Sequence, residues 1–264
     1  MFRNRMRQLL ENRQFAIGTM VQIPHEILPE SLGYAGFDYV IPDVEHTSFS
    51  VEQIERLVRA AQSVQMPSLV RVWGVDPYLI AKTLDTGVEG LMFPTVGSAE
   101  EANDAVKYTR LAPRGERGVC PETRSGRYWT MPREDYDQMA QETVVCIMIE
   151  TKEGLENIED ILSVPEIDMV VVGPWDLAYS LGLDPEDSAI AEAQERVIGV
   201  AEEKNVAVMQ VAYTIEDIGT KLDRHEEHRV FWYRSDNMIL AEAFGGIITK
   251  CNDLGYRDLA GESG

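Results

Sequence analysis

The chain has 264 residues, 44% hydrophobic and 26% charged, with a formal net charge of −21. That composition suits a globular chain with a sizeable core, and no apolar run reaches the ~18 residues of a membrane span. The acidic balance makes nucleic acid and anionic membrane surfaces poor partners. Cys120, Cys146 and Cys251 are odd in number and lack metal-ligand spacing, which argues against a disulfide framework, and the lack of a membrane-length run or apolar signal core leads us to expect a cytoplasmic protein.

The N-terminal segment 1–13 carries Arg3, Arg5, Arg7 and Arg13 but no apolar signal core, and reads as a surface helix leading into the first strand. Apolar runs then recur at 15–22, 39–43, 68–73, 90–94, 144–150, 169–174, 206–212 and 229–233, all expected as strands. The runs Val144-Val145-Cys146-Ile147-Met148-Ile149 and Met169-Val170-Val171-Val172 are apolar throughout, as strands buried on both faces are. Amphipathic stretches lie between. Ser50-Val51-Glu52-Gln53 opens one with a capping box, 152–162 reads as a single helix, and 236–254 supplies the last. Eight βα repeats without a linker predict one (β/α)₈ TIM barrel over residues 1–264. A doubly wound open sheet is the runner-up, but no Gly-rich phosphate loop follows the first strand. The segment 111–142 interrupts the alternation. It is rich in Gly, Pro and Arg, and its Arg124 is expected to reach an anionic substrate.

Barrels carry chemistry at the C-terminal ends of their strands. There the chain places Asp43, Glu45 and His46 after strand two, Arg71 in strand three, Glu150 after strand five and Asp176 after strand six. Asp85 follows on the helix after strand three. Glu150 and Asp176 fall at adjacent strand ends, where two carboxylates repel unless a cation lies between them, and a hard divalent ion is the usual answer. Arg71 sits in an apolar run and requires an anionic partner. His46 is the candidate proton carrier. His25 lies just past strand one, and His225 and His228 fall in a charged run expected to be solvated.

These motifs resemble the HpcH/HpaI aldolases, metal-dependent class II pyruvate aldolases. The likeness runs through Ile17-Gly18-Thr19, Asp43-Val44-Glu45-His46, Val70-Arg71, Leu84-Asp85-Thr86-Gly87, Arg117-Gly118, Ile149-Glu150-Thr151 and Gly173-Pro174-Trp175-Asp176-Leu177. The resemblance implies a barrel of the phosphoenolpyruvate/pyruvate type, its last helix exchanged between subunits of a homohexamer built as a trimer of dimers. It implies Mg²⁺, Mn²⁺ or Co²⁺ on Glu150 and Asp176, and a keto acid held near Gly173, Pro174 and Trp175. It further implies that Arg71 faces the 2-oxo oxygen and that His46, oriented by Asp43 or Asp85, handles the proton. The implied reaction is reversible cleavage of a 2-oxo-4-hydroxy acid to pyruvate and an aldehyde. A CoA-ester lyase, an oxaloacetate decarboxylase and a non-catalytic keto-acid-binding barrel are the alternatives. Met148, Trp175, the 118–124 loop and Phe231-Trp232-Tyr233-Arg234 depart from the family pattern and bear on the aldehyde side.

Overall fold

The computed structural model describes residues 4–12 and 14–256. Arg3 and Arg13 lie outside the described residues. The first helix, α1 (Arg5–Asn12), precedes β1 (Ala16–Val21), α2 (Ile27–Ala35), β2 (Tyr39–Pro42), α3 (Val51–Ser63) and β3 (Leu69–Arg71). The alternation continues through α4 (Pro77–Asp85), β4 (Gly90–Phe93), α5 (Ala99–Thr109), α6 (Arg133–Gln141) and β5 (Val144–Ile149). After α7 (Lys152–Glu156) and α8 (Ile158–Ile161) come β6 (Met169–Val172), α9 (Pro174–Leu181) and α10 (Ser188–Lys204). The final elements are β7 (Ala207–Ala212), α11 (Ile215–Arg224), β8 (Val230–Ser235) and α12 (Asp236–Asp253).

All eight strands run parallel in the order β2-β1-β8-β7-β6-β5-β4-β3. Isolated bridges Val40–Ser68 and Asp43–Arg71 join β2 to β3 and close the barrel. Each expected strand is present, a residue or two shorter at most ends. Side chains alternate between two apolar layers. Val144, Cys146 and Met148 point into the barrel with Met20, Ile41 and Met209, while Val145, Ile147 and Ile149 pack outward against the helices. This period of two decides which strand-end residues face the mouth.

Strand-to-helix turns carry short polar caps. Ser50 and Gln53 form the expected capping box, and Asp76, Ser98, Thr151, Thr214 and Ser235 each accept from a first-turn amide. The 152–162 helix is broken at Asn157, whose amide nitrogen donates to the Gly97 carbonyl at 2.8 Å instead of staying solvated.

The first helix is not a surface helix. Met6 is fully buried in the barrel-interior cluster, Asn4 donates to the Glu89 and Glu142 carbonyls, and Arg7 pairs with Asp168 at 2.8 Å. Those partners lie before β4, β5 and β6, so α1 plugs the N-terminal end of the barrel. In the 111–142 segment a 3₁₀ turn (Arg124–Gly126) and α6 build a small apolar cluster of Leu111, Met131, Tyr136 and Ala140. At the other extreme, α12 buries only Asp236, while Phe244 and Ile247 stand exposed.

Gly18 shows how tightly the interior is filled. A Cβ there would lie 2.3 Å from the Tyr39 ring, which is pinned because its hydroxyl donates to the Phe231 carbonyl at 2.6 Å. Gly18→Ala is therefore expected to destabilise by about 1–3 kcal/mol. Gly199→Ala, in open space on α10, should stabilise by about 0.5–1 kcal/mol. Thermal melts of the two variants should move in opposite directions, and equal melting temperatures would contradict this packing.

Candidate active site

The mouth is built where the inward period of each strand meets the C-terminal edge. Past β2 that position is Asp43, in β3 it is Arg71, past β5 it is Glu150, and past β1 it is Gln22. Asp43 and Arg71 are both buried and form a fork, with Nε donating to Oδ1 at 2.9 Å and Nη2 to Oδ2 at 2.8 Å. Gln22 adds an amide donor to Oδ2 at 2.9 Å. Burial alone would raise the Asp43 carboxyl, but the bonds and charge of Arg71 with the Gln22 amide outweigh it and hold it below the usual range. Trp232 lies over the Arg71 guanidinium, 5.7 Å from carbon to ring centroid.

Opposite the fork sits an acidic group. Glu150 is buried, and its Oε1 accepts the Thr95 amide at 2.7 Å. Its Oε2 lies over Gly173, where a Cβ would come within 2.5 Å. Only a residue without a side chain lets β6 pass that carboxylate. Burial first, then the charge of Glu45, pushes the Glu150 carboxyl up to about 7; Asp176 adds to this, and the Thr95 amide and Arg71 oppose it. Glu45 is raised as well, by burial first, against the pull of Arg71 and His46. Its Oε2 is 3.3 Å from Arg71 Nε yet makes no hydrogen bond, a buried oxygen left unused. Asp176 occupies the first turn of α9, where the helix dipole favours an anion.

The expected residues do not all meet. Asp43, Arg71, Glu150 and Asp176 converge on the mouth. His46 stands at its rim, half exposed, with Nε2 3.7 Å from Glu45 Oε2. The Asp43 oxygens accept from Arg71, Gln22 and the backbone amides of Glu45 and His46, so Asp43 orders the turn that carries His46 but makes no hydrogen bond to its imidazole. Asp85 ends α4, at the far end of the barrel, where it accepts from Thr123 Oγ1 at 3.4 Å and faces Arg117. Arg124 is also remote: it donates to the Thr86 carbonyl at 2.6 Å and to Gln62 Oε1 at 2.5 Å. Both partners sit at the C-terminal ends of helices, so within one chain neither Asp85 nor Arg124 reaches the mouth. The Gly173 amide is spent on the Ile149 carbonyl at 3.0 Å and Pro174 has none, leaving the amides of Trp175 and Asp176 as the first-turn donors of α9. Trp175 is exposed, with its indole against the Tyr213 hydroxyl.

Three contributors to the mouth have no role assigned by the sequence motifs. Gln22 carries on the inward period of β1, a signal that was available. Glu45 stands inside the Asp43-Val44-Glu45-His46 motif, flanked by residues with a stronger chemical signal. Thr95 acts through its backbone, at φ 53°, which no side-chain pattern reveals. His228 is buried, not solvated, with Nε2 3.1 Å from Glu202 Oε1. Among the described residues, Glu202, Glu227 and His228 are the one group of three whose ligand atoms converge within 4.8 Å, and they lie at the N-terminal ends of the strands, away from the mouth.

The fork should be indispensable to stability. Asp43→Asn removes the charge opposite a buried guanidinium, and an expected loss on the order of 3–5 kcal/mol follows from leaving that charge uncompensated. Urea unfolding reads it directly; a loss within error of zero would mean that Arg71 finds another partner.

The family model described as HpcH/HpaI aldolase/citrate lyase matches residues 18–230. The 2-dehydro-3,6-dideoxy-6-sulfogluconate aldolase of Pseudomonas putida is 35% identical over 66% of this chain and 68% of its own length. The hydroxypyruvate/pyruvate aldolase of Paraburkholderia phytofirmans is 33% identical over 78% of this chain and 82% of its own. A crystal structure of a family member from Burkholderia cenocepacia superposes with a TM-score of 0.86 at 28% identity, covering 94% of this chain and 99% of the other. A closed eight-stranded parallel barrel, with its acid and guanidinium pairs at the C-terminal mouth, thus belongs to a chain of the HpcH/HpaI aldolase/citrate lyase family.

Proposed function

We propose that this chain is a divalent-metal-dependent carbon–carbon lyase that reversibly cleaves a 2-oxo-4-hydroxy acid to pyruvate, or a pyruvate analogue, and an aldehyde. The observation that carries this reading is the buried Glu150 carboxylate, seated on Gly173 beside Asp176 and facing an Arg71 locked by Asp43. The relatives named as pyruvate and sugar-acid aldolases support it.

The donors fit a hard cation such as Mg²⁺, Mn²⁺ or Co²⁺. They are oxygens, two come from adjacent strand ends, and the unused Glu45 Oε2 nearby can hold a water of hydration. When bound between Glu150 and Asp176, the ion supplies Lewis acidity toward the 2-oxo group of the substrate. The amides of Trp175 and Asp176, at the start of α9, receive the keto-acid carboxylate. Arg71 makes no hydrogen bond through Nη1 within the described residues, so that donor is left to meet the charge that grows on the 2-oxo oxygen as the enolate forms. His46, half exposed at the rim and beside Glu45, takes the proton of the C4 hydroxyl. Oxaloacetate decarboxylation uses the same enolate and no C4 base, and is expected as a side activity.

Several further features belong to the same proposal. The chain acts as one barrel domain over residues 1–264, which the single closed sheet supports. It assembles as a homo-oligomer, a hexamer of exchanged dimers, supported by the exposed Phe244 and Ile247 on α12. A cytoplasmic location is supported by the buried free thiol of Cys146. No helix of the described residues is long and apolar enough to cross a membrane.

Two measurements test the chemistry. Deuterium exchange at the pyruvate methyl should require a divalent cation and be lost in Glu150→Gln and Asp176→Asn with the fold intact. Full exchange by chelator-treated protein would sink the metal role. In His46→Ala, aldol cleavage should fall by ~10²–10⁴-fold, the usual worth of a positioned base, while oxaloacetate decarboxylation falls far less. Equal losses in both reactions would remove His46 from proton transfer.

A further inference from the structure

The mouth continues past Arg71 into a cavity of about 310 Å³ on the β7-β8-β1 side, away from Glu150. Its walls include Arg71, Gln22, Trp232, Tyr213, Asn237 and Arg234. A molecule whose reacting end lies against Arg71 would extend into this space. The second guanidinium there, Arg234, has no part in the chemistry described above.

The backbone is deformed at its position. Between β1 and β8 the register runs Gly18–Trp232 and then Met20–Ser235, so Tyr233 and Arg234 together oppose the single residue Thr19. This is a β-bulge, a device that re-aims a side chain at the rim of a barrel. Arg234 has φ 49°, the left-handed region that non-glycine residues rarely adopt. Two hydrogen bonds hold its carbonyl in place, from Trp232 Nε1 at 2.7 Å and from Thr19 Oγ1 at 3.3 Å. Strain fixed in this manner at a cavity wall points to a use for the side chain.

The present partner of the guanidinium indicates the use. Nε donates to the Tyr213 carbonyl, and Nη1 donates to the carboxylate of Glu242. The Arg234 side chain is only 14% exposed, whereas that of Glu242 is 66% exposed on the loosely packed α12. A carboxylate thus already rests on Arg234, offered by a helix that can give it up.

We infer that Arg234 is a specificity-determining residue whose guanidinium binds a terminal carboxylate on the acceptor aldehyde, with Glu242 as the internal carboxylate that the substrate displaces. A guanidinium matches a carboxylate in a two-bond fork. One cation beside an acidic helix suits a single negative charge better than a phosphate dianion. This inference rests on the pyruvate-lyase reading, which fixes Arg71 as the enolate end.

The test runs aldol addition of pyruvate to ω-oxo acids from glyoxylate to 5-oxopentanoate, each against the unsubstituted aldehyde of equal length. Wild-type enzyme should favour the acid, with an optimum length. In Arg234→Gln the acid-to-aldehyde ratio of kcat/KM should drop on the order of tenfold, mainly through KM. In Glu242→Gln, which frees Arg234, the ratio should rise. An unchanged ratio in Arg234→Gln, or parallel losses on both acceptors, would overturn the assignment. Methyl exchange on pyruvate in wild type reports the lyase reading separately. Should that exchange be absent, NMR titration with butanoate still decides the subsite: weaker binding in Arg234→Gln and tighter binding in Glu242→Gln support it, and equal binding in all three proteins refutes it.

Discussion

The interaction on which the rest depends is the Asp43–Arg71 fork. It sits at the seam where β2 meets β3, which is closed by two isolated bridges, not by a continuous ladder. One of those bridges joins Asp43 and Arg71 themselves, and the Val44 amide donates to the Arg71 carbonyl beside it at 2.9 Å. Main chain and side chains therefore fasten the barrel at the same two residues. A buried guanidinium is costly unless its charge is met, and Asp43 meets it with matched geometry. The arginine is thereby held rigid, with Trp232 over one face and one nitrogen left to the mouth. Preorganised donors of this kind need no rearrangement when charge develops before them.

Across the mouth the balance is reversed. Glu150, Glu45 and Asp176 crowd a site that burial already makes unfavourable to charge, and Arg71 offsets only part of it. The result is a carboxyl that titrates near neutrality in a protein of net charge −21. Such crowding persists in a fold only when other interactions hold it in place. Here they are identifiable: the Thr95 amide on one oxygen, and Gly173 beneath the other. On the proposed reading, a cation held by Glu150 and Asp176 would relieve this repulsion.

The barrel was legible because every strand is an apolar run and the inward period of two carries past its end. That one rule selects Asp43, Arg71 and Glu150, and applied to β1 it selects Gln22. It has no purchase on helices or loops. Asp85 belongs to a family motif and Arg124 to a loop rich in Gly, Pro and Arg, yet α4 runs back down the barrel and takes Asp85 to the far end, while Arg124 is anchored on Gln62 and the Thr86 carbonyl. The first helix looked solvated because its arginines dominate the composition, although Met6 decides its position. The break at Asn157 arises from one tertiary hydrogen bond to Gly97, which local periodicity does not register. His228 was hidden by its neighbours in the same way, because a charged run can still turn one ring inward.

The bulge in β8 was illegible for a different reason. Trp232, Tyr233 and Arg234 extend a strand pattern without a glycine or proline to mark a defect, and the extra residue is apparent only against Thr19 of the paired strand. On a period of two Val230 and Trp232 face inward and Arg234 would follow them opposite Met20, but the bulge sets Ser235, the cap of α12, opposite Met20 instead. The bulge therefore carries the strand end one residue further before the helix begins. It lets Ser235 start the helix while Arg234 still turns toward the cavity. The cavity has a cation at each end, Arg71 beside the acids and Arg234 beyond Trp232, and on the proposed assignment the direction from one to the other is the axis of the substrate.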